Sequence, residues 1–147
     1  MQKLDTLKEF ADRHNLLYRT DTSPDGLHEA YVYSTESEPL YRYAFARWWD
    51  HDGPLALWVG VNPAKGDTEK RPRPTLDRCV RRSRTMGATG LIFANLFAAR
   101  HNEPRALRTT SDPVGLYNDQ ALTELNKIAD WTECCFGKLR AIVRHPG

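Results

Sequence analysis

Two short polar strings follow two apolar runs, and their positions suggest a ligand site. Asn62 and Pro63 follow the apolar run 55–61, and Asn95 follows the run 91–94. Both runs are typical of short buried strands. Because ligands of open α/β sheets bind beyond the carboxyl ends of the strands, the two asparagines are candidates for ligand contact.

Asn62 has the chemistry of a base-reading or water-positioning residue. The proline that follows disfavours helical geometry at Asn62, so the loop is expected to leave the sheet sharply. A carboxamide both donates and accepts hydrogen bonds, so it can read the edge of a nucleobase or position a water. The alternative is that Asn62 bonds its own loop and Pro63 only shapes the turn.

Arg100 lies five residues after Asn95. The guanidinium fork matches the paired oxygens of a carboxylate or phosphate, which makes Arg100 a candidate for anion binding. The alternative is a surface arginine that pairs with Glu103 or Asp112. The neighbouring His101 can titrate near neutrality, although a loop histidine is more often solvated.

The stretch from residue 65 to residue 84 is the most basic part of the chain. Arg78, Arg81 and Arg82, with Arg71 as a further candidate, are expected along one exposed side of the loop and helix, and Lys65 of the same stretch is a candidate for backbone contact. Such a side can follow a nucleic-acid backbone through its phosphates. An ordinary solvated helix face is the alternative.

A further polar group marks the start of a predicted helix. Asp112 is expected to cap this helix, with Pro113 at its first position. Helix stability alone explains these residues. In the functional alternative, Asn118 or Asp119 faces the cleft.

The elements that position these residues predict an α/β fold. Strand and helix patterns alternate from residue 55, with a helix capped by Thr75 and ended by Gly87, and with later strands at 132–136 and 141–143. A helix over 3–15 and a hairpin of strands 29–34 and 41–48 precede them. We expect a single domain over 1–147, three-layered, with a short, mostly parallel central sheet flanked by helices.

Composition excludes several classes of protein. The net charge of +2 does not by itself indicate nucleic acid or an anionic membrane. No run approaches the ~18 apolar residues of a membrane span, and three cysteines without a C-x-x-C spacing favour reduced thiols in the cytoplasm. Nucleotide-loop, dinucleotide, nucleophile-elbow and paired-histidine motifs are absent, so no metal or cofactor is expected.

Taken together, these strings resemble a family catalogued as domain of unknown function 1643. The resemblance covers residues 41–119 and rests on motifs in a specific order. They are Tyr41-Arg42-Tyr43, Arg47 to Asp50, Val61 to Ala64 with Asp67, Pro74-Thr75-Leu76, Arg78-Cys79, Gly87, Asn95 to Ala98 with Arg100 and Pro104, Asp112 to Gly115, and Asn118-Asp119.

The chain departs from the family pattern at three places. Ala64 replaces a usual serine, Arg71 and Arg73 replace usual acidic residues, and the run 101–103 differs from the family's. If the missing groups bind a metal or water in relatives, this chain lacks that ability. Arg144-His145-Pro146 matches a later His-Pro pair of the family either through an internal deletion, which would make the carboxyl end short, or by chance.

The Asn-Pro loop, the Asn-Leu string and the late His-Pro pair also resemble the uracil-DNA glycosylase superfamily. That resemblance implies a parallel four-stranded sheet, with Asn62 positioning the attacking water and His145 stabilising the leaving base. The residues expected to contact substrate are Pro63, Asp67, Thr75, Asn95, Arg100, Asp112, Asn118 and Asp119. A fold-level analogy is weak support for function.

The sequence leaves three functions open. The first is binding of a nucleobase or nucleotide in DNA or RNA, with or without cleavage of an N-glycosidic bond. The second is a non-catalytic module that binds nucleic acid or protein. The third is an enzyme acting on a small phosphorylated metabolite.

Overall fold

The computed structural model describes residues 3–51, 53–65, 73–136 and 139–144. Within them, three α-helices and seven strands follow one another along the chain. The helices are α1 (Asp5–Arg13), α2 (Pro74–Thr85) and α3 (Asn118–Ile128). The strands are β1 (Leu17–Thr22), β2 (His28–Tyr33), β3 (Arg42–Trp48), β4 (Leu55–Gly60), β5 (Gly90–Asn95), β6 (Trp131–Phe136) and β7 (Leu139–Arg144).

All seven strands form one mixed sheet in the order β1-β2-β3-β5-β4-β6-β7. Strand β4 is parallel to β5 and to β6, whereas the other neighbouring pairs are antiparallel. The prediction of a short, mostly parallel sheet in a three-layer α/β fold is therefore wrong. Local patterns indicated the parallel unit, but they carried no signal that β3 would pair with β5 and extend the sheet through the amino-terminal strands.

The two strands that carry the polar strings are neighbours, as expected. They pair in parallel from Leu55↔Gly90 to Gly60↔Asn95, so both carboxyl ends reach the same edge of the sheet. The antiparallel partners predicted at 29–34 and 41–48 also form, as β2 and β3. Strand β1 is absent from the sequence prediction. Its first two residues are partly buried and the other four are exposed, so the strand lacks the buried apolar run by which β4 and β5 were identified.

Helices cover both faces of the sheet, and each face has its own apolar cluster. Leu7 and Phe10 of α1 and Leu125 of α3 belong to one cluster, while Cys79 and Val80 of α2 belong to the other. Every residue of β4 is buried, which matches its continuous apolar run. Trp58 is only 1% exposed and lies under α2, where its indole Nε1 donates to Ser83 Oγ at 2.9 Å.

Two predicted helix starts are wrong. Helix α2 begins at Pro74 rather than at a Thr75 cap, since proline suits the first helical position. Helix α3 begins at Asn118, and Asp112 does not cap it. Asp112 Oδ1 instead accepts from the Gly115 N–H at 3.1 Å, and the positive φ of Gly115 (92°) separates this turn from the helix.

Candidate functional site

The carboxyl edge of β4 and β5 brings the two polar strings together. The chain after β5 continues the parallel pairing: the Leu96 N–H donates to Gly60 O at 3.0 Å and the Phe97 N–H to Val61 O at 2.9 Å. A Cβ on Gly60 would lie 2.9 Å from Phe93 Cε1 and 3.1 Å from Asn95 Nδ2. Glycine at this position therefore lets the Asn95 amide approach the end of β4 closely.

The Asn62 amide is held by the neighbouring loop. Its Nδ2 donates to His101 O at 2.8 Å and to Pro63 O at 3.2 Å, and the His101 N–H donates back to Pro63 O at 3.0 Å. Asn62 is half-buried, and Pro63 is buried. These bonds fix the orientation of the amide, so Oδ1 is the atom through which Asn62 can accept from a ligand.

Arg100 is buried and links two loops through hydrogen bonds. It is 5% exposed, and its Nη1 and Nη2 donate at 2.6 Å to Pro39 O and to Lys65 O. Among the described residues, Glu38 is a carboxylate neighbour of Arg100, at 3.4 Å, in place of the Glu103 or Asp112 of the alternative interpretation. The guanidinium also lies 5.3 Å from the ring centroid of Tyr33. The planar guanidinium geometry that would suit a phosphate is used here to donate hydrogen bonds to two main-chain carbonyls.

Asn118, the first residue of α3, holds the chain at the carboxyl end of β5. It is fully buried, and its Nδ2 donates to Asn95 O at 2.8 Å and to Leu96 O at 3.1 Å. Asn95 itself is 2% exposed. The Oδ1 atoms of both residues are buried and have no hydrogen-bond partner in the described part of the chain. Three of the predicted substrate-binding residues, Asn95, Arg100 and Asn118, are thus inside the protein.

The remaining predicted residues of this edge do not converge on one point. Asp112 is exposed, and its carbonyl accepts from the Tyr41 hydroxyl at 2.8 Å. Burial, with the Asp112 carboxylate next, raises the pKa of the Tyr41 phenol. Asp119 lines a separate open groove of about 730 Å³ between α1 and α3. Asp67, Arg71 and His145 lie outside the described residues.

The predicted basic residues of α2 do come together. Arg78, Arg81 and Arg82 line a groove of about 430 Å³ that has Trp58 in its lining, with Thr75 at the amino-terminal end of the helix. All four α2 residues are exposed. Lys65, also exposed, belongs to the loop after β4, where its N–H donates to Asn102 Oδ1 at 3.1 Å.

Glu133 is a candidate that the sequence analysis missed. It is 2% exposed, and its Oε1 lies 3.4 Å from Nε of Arg82. Neither carboxylate oxygen has a hydrogen-bond partner among the residues that the structure describes. The available signal was a glutamate inside the predicted strand 132–136; the structure pairs Glu133 with Trp58 of β4.

The comparison with known families decides the affiliation of the chain. A family of proteins of unknown function, DUF1643, matches residues 42–146. The chain belongs to the DUF1643 family. No curated protein and no solved structure matches the chain. The resemblance to uracil-DNA glycosylases thus gains no support, and its parallel four-stranded sheet is not the sheet observed.

Two searches of the described residues have negative outcomes. No group of three or more His, Cys, Asp or Glu side chains in this part of the chain is placed to hold a metal ion. None of its helices combines the length and apolar character that crossing a membrane requires.

Proposed function

We propose that this DUF1643 protein binds a nucleotide unit of DNA or RNA, with the phosphates along the α2 groove. The observation that carries the proposal is the convergence of Arg78, Arg81 and Arg82 on one groove. Arginine suits this role because its fork matches phosphate oxygens and its charge persists at every physiological pH.

The distribution of the other charges on α2 supports the proposal. Asp77 lies 3.9 Å from Nη1 of Arg47, and Arg84 lies 4.9 Å from the ring centroid of Trp49. These two side chains contact neighbours that do not line the groove. The groove side of the helix therefore carries three guanidinium groups, although the whole chain has a net charge of only +2.

Asn62 offers a candidate base contact in addition to the phosphate groove. Its anchored amide has Oδ1 as an acceptor for an N–H on a base edge. Helix α2, which carries the groove, follows β4 and the Asn62 loop in the chain. A nucleotide unit supplies both a nucleobase for Asn62 and a phosphate for the groove. A cytoplasmic location, expected from the cysteines, would expose the protein to such ligands.

Cleavage of an N-glycosidic bond is the second candidate, and Asn62 is the observation that favours it. A water-positioning amide must keep one orientation, which the bonds from Nδ2 to His101 O and Pro63 O supply. The test is a panel of modified-base oligonucleotides, with Asn62→Ala compared with the native protein after matched thermal melts. Turnover that Asn62→Ala leaves unchanged, or no turnover at all, would overturn this candidate.

The binding proposal is tested by fluorescence anisotropy with a labelled single-stranded oligonucleotide. We expect the native protein to bind with steep salt dependence, and Arg78→Ala/Arg81→Ala/Arg82→Ala to lose at least about tenfold in affinity. The slope of log affinity against log salt should fall by about two to three when three phosphate contacts are lost.

A matched control distinguishes the contribution of the groove to affinity from that of the overall positive charge. Lys8→Ala/Arg105→Ala/Arg108→Ala removes the same charge from exposed positions that do not line the groove. Binding should be retained in this control. Equal losses in both triple variants, or no binding by the native protein, would refute the proposal. Complete competition by inorganic phosphate at low concentration would instead favour a small phosphorylated metabolite.

A further inference from the structure

Glu133 and Arg82 form a contact that distinguishes Arg82 from the other two arginines of the groove. The Glu133 side chain is 3% exposed, whereas that of Arg82 is 46% exposed, so the pair reaches from the interior to the groove surface. A buried carboxylate is costly unless charges and hydrogen bonds compensate it, and Glu133 has Arg82 without a hydrogen bond.

The contact lies on one side of the guanidinium. The closest approach is made by Nε, at 3.4 Å from Glu133 Oε1. A carboxylate beside Nε does not occupy the outer edge of the planar group, where Nη1 and Nη2 form an end-on fork.

The backbone around the pair is also held. Ser83, the residue after Arg82, accepts from Trp58 Nε1 at 2.9 Å and donates to Cys79 O at 2.7 Å. Trp58 is in turn the register partner of Glu133 on the neighbouring strand. The strand that carries Glu133 and the helix that carries Arg82 are thus linked through Trp58 and Ser83.

We infer that Glu133 is a positioning residue that orients Arg82 as the principal phosphate-binding group of the groove. This inference rests on the proposed function and deepens it. The oriented fork of Arg82 takes two oxygens of one phosphate group, whereas Arg78 and Arg81 contribute positive charge. The recognised chemistry is a phosphate group, carried either by a mononucleotide or by a nucleic-acid backbone.

The decisive variant is Glu133→Gln, because the two roles of this carboxylate predict opposite signs. If Glu133 acts only through its negative charge, its removal should strengthen binding of an anion. If it orients Arg82, its removal should weaken binding of a labelled mononucleotide and of a labelled oligonucleotide, by at least about fivefold. Thermal melts and circular dichroism establish that the variant is folded.

A second variant covers the outcome in which Glu133→Gln does not fold. Arg82→Lys keeps the charge but loses the fork and Nε, so it should lose nearly as much affinity as Arg82→Ala. Arg81→Lys is the matched control and should change affinity by less than about twofold. In the Arg82→Ala background, Glu133→Gln should cause no further loss.

The outcomes separate this inference from the proposed function. Native protein that binds neither probe refutes the function itself. Native protein that binds, with tighter binding in Glu133→Gln or full retention in Arg82→Lys, refutes the positioning role alone. Equal effects on both probes identify the phosphate group as the recognised feature, and effects confined to the oligonucleotide identify the nucleic-acid backbone.

Discussion

Replacement of Asn118 by alanine should destabilise the protein strongly, although Asn118 resembles a ligand-binding residue in the sequence. The side chain is fully buried and donates to Asn95 O and to Leu96 O. The bond to Asn95 O is buried, and the bond to Leu96 O is partly buried. The substitution leaves both carbonyls without this donor.

The magnitude follows from these two bonds. Leaving a buried carbonyl unsatisfied costs about 1–3 kcal/mol, and losing a partly exposed bond costs about 0.5–1.5 kcal/mol. Together they predict a loss of about 1.5–4.5 kcal/mol in the free energy of unfolding, from a total that is typically about 5–15 kcal/mol. The new cavity can add to this loss.

Urea unfolding followed by circular dichroism measures this loss, with the midpoint and the slope fitted separately. Asn118→Leu keeps the branching and the number of side-chain heavy atoms but removes the Nδ2 donor, so it should remain strongly destabilised if the hydrogen bonds dominate. Asp119→Ala, an exposed change in the same helical turn, is the control and should cost less than about 1 kcal/mol. A loss below about 1 kcal/mol for Asn118→Ala would show that these bonds do not stabilise the loop.

Three further predictions concern Arg100, Glu29 and Tyr43. Arg100→Met should lower the free energy of unfolding by about 2–4 kcal/mol in urea titrations, because it removes the donors to Pro39 O and Lys65 O. Retention of full stability would show that these two hydrogen bonds do not stabilise the loops that Arg100 links. Glu29→Gln should lower the free energy of unfolding by about 3–5 kcal/mol in the same assay, because it weakens the buried pair in which Arg47 Nη2 lies 2.7 Å from Glu29 Oε2. As a control, Lys8→Ala breaks the exposed pair of Lys8 and Asp12 and should cost less than about 1 kcal/mol. Burial raises the pKa of the Tyr43 phenol to about 12, so the unfolded chain releases this proton at a lower pH than the folded chain does. Stability should therefore fall as the pH rises from about 10 to about 12. Thermal melts of Tyr43→Phe across this range should show a shallower fall, and identical profiles for the two proteins would exclude this contribution.

Several elements follow from local sequence patterns. Leu4, Leu7, Phe10 and Ala11 recur at helical spacing, and all four are buried against the sheet. The apolar runs of β4 and β5 predicted two neighbouring parallel strands, which form. Hydrophobic periodicity depends on few neighbours in the chain, so it can be interpreted without knowledge of the tertiary structure.

The predicted site could be only partly located from the sequence. Arg78, Arg81 and Arg82 share a groove because residues three and four apart on one helix lie on one side. Asn95, Arg100 and Asn118 could not be assigned in this way. Their donors suit a ligand and a main-chain carbonyl equally well, and the identity of the acceptor depends on chain segments that are distant in sequence.

The sequence alone determined the strand–helix–strand unit, the adjacency of the two polar strings and the basic side of α2. The tertiary structure alone decided that β3 joins β5, that Arg100 and Asn118 bond to the protein's own carbonyls, and that Glu133 lies beneath Arg82. The physical reason is the range of the interactions. Side-chain periodicity is set by residues a few positions apart, whereas buried hydrogen bonds and ion pairs depend on which distant segments the sheet brings together.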